Sequence, residues 1–246
     1  MSTFSKYALI FHNRLLSFDQ DIELVDIICK AQKAKDFLKD ETLLFSYLDV
    51  EKHIALNKRG ATNKSREIVV KHLKATVFSA YIKDIYEELT SYLKGLLYEA
   101  ALLSKDTTRA KRILGEHKIT MMASDILTYS NINDLILRVA EDILQALEHE
   151  RSTKELVKKI CHKTGISIEE QKLEAALPYL ELRHKLVHTD GKIDPDFKSK
   201  YPMFRCDKDD YVVLTYETIL SAKIAIEDLI LAIDEAAIEK GILSPN

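Results

Sequence analysis

The chain contains few of the residues that interrupt regular structure. It has six glycines and four prolines in 246 residues, and no low-complexity tract, so extended disorder is not expected beyond the two termini. The cysteines are equally sparse, namely Cys29, Cys161 and Cys206. An odd number of widely spaced cysteines without a CxxC pair argues against a disulfide framework or a zinc–thiolate site, and it predicts a reducing, cytoplasmic environment.

Long apolar runs and a strong charge of one sign are also lacking. The apolar stretch 219–233 is interrupted by Lys223, Glu227 and Asp228, so no membrane span is expected. The first residues do not combine a basic region with an apolar run, which argues against a signal peptide. A net charge of −3 excludes general attraction to nucleic acid but is compatible with a local basic patch.

Apolar residues recur at helical spacing along most of the chain. Long amphipathic helices are predicted over three ranges, which are 66–99, 131–150 and about 216–240. Shorter helices are predicted over 3–17, 20–39 and 41–56. Ser65 and Thr215 are predicted N-caps, and Gly241 is a predicted C-terminal stop. The sequence therefore predicts an all-α fold, a multi-helix bundle.

The polar segment 57–64 is the clearest linker, because it contains glycine and no apolar periodicity. A second break is expected near 104–108. The first linker predicts an N-terminal helical extension, residues 1–60, followed by a helical bundle, residues 61–246.

One region does not have a helical pattern. Residues 191–214 contain Pro195 and Pro202, and the β-favouring residues 211–214 follow a turn-like run of charged residues. Because proline breaks helices, we expect an irregular loop or a small β-hairpin in this region.

The hexad Arg183-His184-Lys185-Leu186-Val187-His188 precedes this loop. A capping box, Ser167-x-x-Glu170, is predicted to begin its helix, and Thr189-Asp190-Gly191 to end it. The predicted apolar stripe of this helix is Leu173, Leu177, Leu180 and Val187, and His184 is predicted to lie on it or at its edge.

The hexad allows three interpretations. Arginine binds phosphate through a planar fork of donors, and histidine moves protons near neutral pH, but residues five apart are separated by about 140° around a helix. Arg183 and His188 therefore share a site only if the helix ends there or a second subunit contributes. His184 and His188 are four apart and share a face, as metal-binding pairs do, with Asp190 or Asp194 as a third ligand. A solvated cluster of cations at a helix C-terminus is the alternative without chemistry.

The hexad and its surroundings resemble the HEPN superfamily of all-helical domains, many of which are metal-independent RNases. Arg183, the polar His184, three spacer residues and His188 match the family's Arg-x4-His pattern at the end of a helix, over about residues 66–240. The subgroup it most resembles is the bacterial HEPN nucleases of phage-defence or toxin systems. A tyrosine that some of these toxins carry two residues after the histidine is replaced here by Asp190.

The resemblance implies roles for individual residues. Arg183 would orient the scissile phosphate and stabilise its charge, His188 would act as general acid–base while the RNA 2′-hydroxyl attacks, and His184 would position both. No metal or cofactor is expected. An acidic residue of an earlier helix, Asp84 or Glu87, would support the site. A homodimer with a composite active cleft is implied, as is a possible antitoxin or defence partner, and no membrane.

The segment around and after the hexad has a basic bias that Asp194, Asp196 and the DKDD turn partly cancel. Lys185, Lys192 and Lys198 are the predicted RNA-binding lysines, and the alternative is that the lysines only keep the loop soluble. The aromatic residues interleaved with the lysines are Phe197, Tyr201 and Phe204. They either stack on bases or hold the loop against the bundle.

The leading functional hypothesis is therefore a HEPN-type endoribonuclease. The alternatives are a catalytically inactive HEPN-like scaffold that binds RNA or protein, and a metal-binding helical protein that uses His184 and His188.

Overall fold

The computed structural model describes residues 4–34, 51–52, 63–103, 113, 120–148 and 152–246. Within these residues it has eight helices. Their bounds are α1 Lys6–Ala34, α2 Asn63–Leu102, α3 Ala123–Thr128, α4 Ile132–Glu148, α5 Thr153–Thr164, α6 Glu170–His188, α7 Pro195–Lys200 and α8 Tyr216–Glu239. The predicted all-α multi-helix fold is confirmed.

The N-terminal region differs from the prediction, because α1 is a single helix where two were expected, over 3–17 and 20–39. The residues at the expected break are held in the helix by partners on other helices. The ring of Phe18 packs edge-on against Tyr81. Asp19 accepts a hydrogen bond from the Tyr81 hydroxyl and forms an ion pair with Lys223. Apart from residues 51–52, the predicted helix 41–56 lies outside the described residues, as do 57–62 of the linker and the expected break at 104–108.

The long helix α2 is the centre of the bundle and contacts α1, α4, α5, α6 and α8. Its fully buried side chains recur every three or four residues and are Phe78, Ile82, Ile85, Leu89, Leu93 and Leu96. That spacing places them on one face of the helix. In the first turns of α2, the apolar residues Ile68 and Leu73 are exposed, so the amphipathic pattern predicted over 66–99 does not produce a buried face there. The helix begins at Asn63, so Ser65 is not its N-cap.

A buried carboxylate joins the two ends of the described chain. Asp234 of α8 is fully buried and accepts hydrogen bonds from the Ser5 backbone N–H, the Ser5 hydroxyl and the Tyr92 hydroxyl. Burial, followed by the charge of Asp234, raises the pKa of Tyr92 well above its ordinary value. From the anchored helix α1, Ala8, Phe11, Leu15 and Ile22 belong to the same hydrophobic core as the rest of the bundle.

The local signals around α8 act as predicted, whereas those at the start of α6 do not. Thr215 accepts a hydrogen bond from the Thr218 backbone N–H, and Gly241 follows the helix with φ of +64°. The capping box at Ser167 does not form, since α6 begins at Glu170 after Glu169. Instead, the C-terminal turn of α5 controls the connection. The Ile166 backbone N–H bonds to the Cys161 carbonyl, and Gly165 adopts a left-handed conformation.

The segment 191–214 is folded back on the bundle as a mostly irregular excursion. It contains two isolated antiparallel bridges, Lys192–Tyr211 and Cys206–Val212, which agree with the expected small hairpin. It also contains the short helix α7, which was not predicted. Pro195 lies in the first turn of α7, where its missing N–H is not needed.

Candidate active site

Arg183 lies on the penultimate turn of α6 and is fixed by two neighbouring residues of α2. Its guanidinium carbon Cζ is 4.3 Å from the centroid of the Tyr86 ring, within the range of a cation–π contact. Its Nη2 donates a hydrogen bond to Glu87 Oε1 at 3.1 Å. The Arg183 side chain is 25% exposed and that of Glu87 is 64% exposed. Of the two acidic candidates, Glu87 and not Asp84 therefore contacts Arg183.

The Nε nitrogen of this guanidinium is in an unusual environment. Arg183 Nε is buried and has no hydrogen-bond partner. An unpaired buried donor costs on the order of 1–3 kcal/mol, and native structures contain few of them. The position of the guanidinium is therefore set by the Tyr86 ring and the Glu87 carboxylate, and not by full satisfaction of its donors.

His184 and His188 lie one turn apart at the end of α6, with ring centroids separated by 4.3 Å. Both residues are exposed. His184 therefore lies at most at the edge of the apolar stripe, whereas Leu173, Leu177 and Leu180 of that stripe are buried as predicted. The buried face of these turns passes instead through Leu182 and Leu186, because the excursion covers Leu186 near Gly191. Partial desolvation, with the nearby charges of His188, Lys185 and Arg183, lowers the pKa of His184.

The helix remains regular as far as His188 and ends there, as predicted. Asp190 and Gly191 have positive φ values of 51° and 85°, which form the predicted stop. Among the described residues, no hydrogen bond or ring contact joins Arg183 to His188. The structure thus brings the two histidines together and places Arg183 against α2, in line with the angular separation expected from their spacing.

A metal site built on the two histidines lacks further ligands. The described residues contain no group of three or more His, Cys, Asp or Glu side chains able to hold a metal ion. Of the proposed third ligands, Asp194 is already engaged, since its Oδ1 accepts from the Phe197 backbone N–H at 2.8 Å and its Oδ2 pairs with Lys185. These contacts, led by that of Lys185, lower the pKa of Asp194.

The three predicted RNA-binding lysines are in different situations. Lys185 pairs with Asp194, and Lys198 pairs with Asp210. Both charges are therefore partly compensated within the excursion. Lys192 is exposed, and no ion pair engages its ammonium group among the described residues. Of the three, Lys192 is the most accessible to a phosphate.

Three aromatic residues of the excursion belong to the core. Phe197, Tyr201 and Phe204 are at most 8% exposed. Phe197 and Phe204 stack at 5.7 Å, and Phe204 packs edge-on against Tyr179 of α6. These rings hold the loop against the bundle and are not available to stack on bases.

Comparisons of the chain with protein-family models, with curated proteins and with solved structures find no match. Within the part of the chain that the structure describes, no helix is both long enough and apolar enough to cross a membrane. The interpretation of this site therefore depends on its own geometry and on the motif.

Sequence reasoning did not identify Tyr86 as part of the site. Tyr86 and Arg183 are far apart in sequence, and Glu87 and Arg183 are separated by 96 residues. No local pattern indicates that α2 presents these two residues to α6. A helical wheel of α2 would have placed Tyr86 next to the buried Ile82 and Leu89, but not beneath an arginine.

Proposed function

We propose that this chain is a cytoplasmic, metal-independent endoribonuclease of the HEPN type that acts in a toxin–antitoxin or phage-defence system. One observation carries the proposal. The last two turns of α6 present two exposed imidazoles in mutual contact, and the same turns hold a guanidinium fixed by Tyr86 and Glu87. A fixed cation and titratable bases are the groups that phosphodiester cleavage requires.

The proposed reaction uses a nucleophile from the substrate. The RNA 2′-oxygen forms a bond to phosphorus, and the bond from phosphorus to the 5′-oxygen breaks. His188 takes the 2′-hydroxyl proton and delivers a proton to the departing 5′-oxygen. Arg183 holds the phosphate and offsets the charge that develops on it. The products are a 2′,3′-cyclic phosphate end and a 5′-hydroxyl end. His184, whose pKa is lowered, is neutral at pH 7 and orients its neighbours.

A homodimer is part of the proposal. Arg183 faces its own α2, whereas His188 is exposed, and exposed apolar side chains lie close to it in sequence or on the excursion. They are Val187, Met203, Tyr211 and Val213. We infer that these apolar side chains contribute to a subunit interface, and a two-fold axis beside it would let one subunit's histidine meet the other's arginine.

The same structure offers an argument for the inactive scaffold. Glu87 occupies Nη2 of Arg183, which a phosphate would otherwise use. A protein in which this pair persists on RNA would bind without cleaving. We regard nuclease activity as the better interpretation, because the Glu87 side chain is 64% exposed, and ion pairs that solvent screens contribute only about 0–1 kcal/mol.

Cleavage of RNA by purified protein in EDTA tests the proposal. The expected products carry 2′,3′-cyclic phosphates, and Arg183→Ala or His188→Ala abolishes their formation. Arg138→Ala and His162→Ala, which change the same residue types on α4 and α5, retain activity. Binding without cleavage would support the scaffold instead, and stoichiometric zinc lost with His184→Ala would support the metal-binding alternative.

Subunit mixing tests the composite site. If Arg183 of one subunit works with His188 of the other, mixed Arg183→Ala and His188→Ala proteins regain about a quarter of wild-type activity, because half of the dimers are mixed and each has one complete site. A site contained within one subunit would give no recovery. In cells, growth arrest and RNA degradation on induction of wild type, but not of His188→Ala, would support a toxic role.

A further inference from the structure

The contact between Arg183 and Tyr86 has the geometry of a support for the guanidinium. Cζ lies over the ring, 4.3 Å from its centroid. Tyr86 is only 8% exposed and lies in the core cluster of the bundle. A ring held by the core cannot follow a mobile side chain. Tyr86 of α2 therefore supports the guanidinium from a fixed position.

The unpaired Arg183 Nε supports this interpretation. A side chain serving only to form an ion pair would be free to turn so that each buried donor finds an acceptor. Here Nε is buried without one, while Nη2 bonds to Glu87. The guanidinium remains over the Tyr86 ring although this position leaves the Nε–H donor unsatisfied. Such an arrangement is expected where orientation matters for function.

We propose that Tyr86 is a positioning residue that holds the Arg183 guanidinium in the plane needed to receive the scissile phosphate of RNA. This inference rests on the proposed function. Tyr86 acts through Arg183 and has no contact of its own with the reacting atoms. Because small displacements of an orienting group reduce rates strongly, loss of the ring lowers kcat more than it raises KM.

A purely structural role makes a different prediction. If Tyr86 only fills space, its replacement lowers stability and leaves the turnover of each folded molecule unchanged. Phe78 provides a matched control, since it is a fully buried ring on the same helix. It also has a cation above it, with Lys74 Nζ 5.5 Å from the ring centroid. Phe78→Leu therefore removes an equivalent contact away from Arg183.

The first measurement is cleavage of a single-stranded RNA oligonucleotide by full-length protein, with rates normalised to the folded fraction from circular dichroism. We expect Tyr86→Leu and Tyr86→Met to lower kcat by about 10–100-fold. Tyr86→Phe, which keeps the ring, stays within about threefold of wild type, as does Phe78→Leu. Wild-type kcat in both non-aromatic variants overturns the inference and leaves the nuclease proposal intact.

The second measurement does not require activity. The Nε–H resonance of Arg183, identified by its loss in Arg183→Lys, reports the ring current of Tyr86 and its own protection from solvent. Tyr86→Leu should shift this resonance and accelerate its exchange, and Phe78→Leu should not. An unchanged resonance in Tyr86→Leu contradicts the support whether or not RNA is cleaved. If this resonance responds as expected but wild-type protein leaves RNA intact, the nuclease proposal fails, and the role assigned to Tyr86 in cleavage fails with it.

Discussion

The imidazole rings of His184 and His188 lie at an interplanar angle of 44° with their centroids 4.3 Å apart. At this distance a positive charge on His188 disfavours a proton on the His184 ring. Desolvation is the largest cause that lowers the pKa of His184, and the charge of His188 is the next.

The pKa of His184 is therefore expected to respond to His188 in one direction. In His188→Gln the pKa of His184 rises, because one positive neighbour is removed, but it stays below the usual value of about 6.5, because desolvation remains. His162→Gln, on α5, leaves it unchanged. An NMR titration of the histidine ring protons measures this. A His184 pKa that is the same in wild type and His188→Gln would show that the two rings are not coupled.

The same shift has a consequence for stability. Since the folded-state pKa of His184 is lowered, the unfolded chain binds its proton more readily than the folded chain does. The contribution to stability is present above about pH 6.5, the unfolded value, and is lost as the pH falls through the folded pKa. The free energy of unfolding of His184→Gln should thus fall less between pH 7 and pH 5 than that of wild type. A steeper fall would reverse the sign of the argument.

Under the proposed function, the Glu87 carboxylate and an RNA phosphate would compete for Nη2 of Arg183. Glu87→Gln removes the charge of the competitor while Tyr86 still fixes the guanidinium, so we expect KM to fall by about two- to fivefold with little change in kcat. Affinity for an uncleavable 2′-deoxy substrate, measured by fluorescence anisotropy at fixed salt, should increase equally.

Asp84→Asn is the charge-matched control for this change. Asp84 lies one turn earlier on α2, and within the described structure it has no hydrogen bond or ion pair with Arg183. Its pKa is raised by desolvation and by the charges of Glu87 and Glu88. We expect its effect on KM to be smaller than that of Glu87→Gln. Equal effects would mean that general electrostatics, and not the Arg183 contact, controls binding.

Features of the fold that depend on residues close together in sequence were predicted more successfully than features that depend on distant residues. Thr215 and Gly241 mark the ends of α8 through contacts a few residues away, and these were predicted. Ser167 has an equally good local signal, but the turn that ends α5 at Gly165 determines the chain path there.

The contacts between α6 and α2 could not be predicted from the sequence. The Arg-x4-His motif was found by its spacing, whereas the exposure of His184 and the pairing of Arg183 with Glu87 depend on how α6 is rotated against α2. Leu173, Leu177 and Leu180 of the predicted stripe are buried as expected, but in the last two turns Leu182 and Leu186 are buried in place of His184 and Val187. An amphipathic pattern with several adjacent leucines does not determine this rotation.

The core position of Phe204 distinguishes loop packing from base stacking. Phe204→Ala removes a ring in contact with Phe197 and Tyr179, and it should lower the free energy of unfolding by about 3–5 kcal/mol. Lys208 of the same excursion is exposed, and Lys208→Ala should change the free energy of unfolding by less than about 0.5 kcal/mol. Chemical denaturation measures both. Reduced RNA affinity of Phe204→Ala at unchanged stability would restore the stacking hypothesis.

Gly191 closes the turn that follows His188, and two separate restraints act on it. Its φ is +85°, and an added Cβ would lie 3.2 Å from Leu186 Cδ2 and 3.3 Å from Val212 Cγ1. Gly241 has a similar φ of +64° but has nothing within 4 Å of that position. Gly241→Ala should therefore cost about 1–2 kcal/mol of stability from backbone strain alone.

Gly191→Ala carries the same backbone strain and adds crowding, for a total of about 2–4 kcal/mol. Its backbone N–H bonds to the Lys185 carbonyl, and its carbonyl accepts from Val212, so the turn cannot shift without loosening the excursion from α6. Thermal denaturation of the two variants in parallel separates the terms. Equal losses of stability would show that Leu186 and Val212 move aside freely. The end of α6 would then be too mobile to hold His184 and His188 in the fixed positions that the proposed function requires.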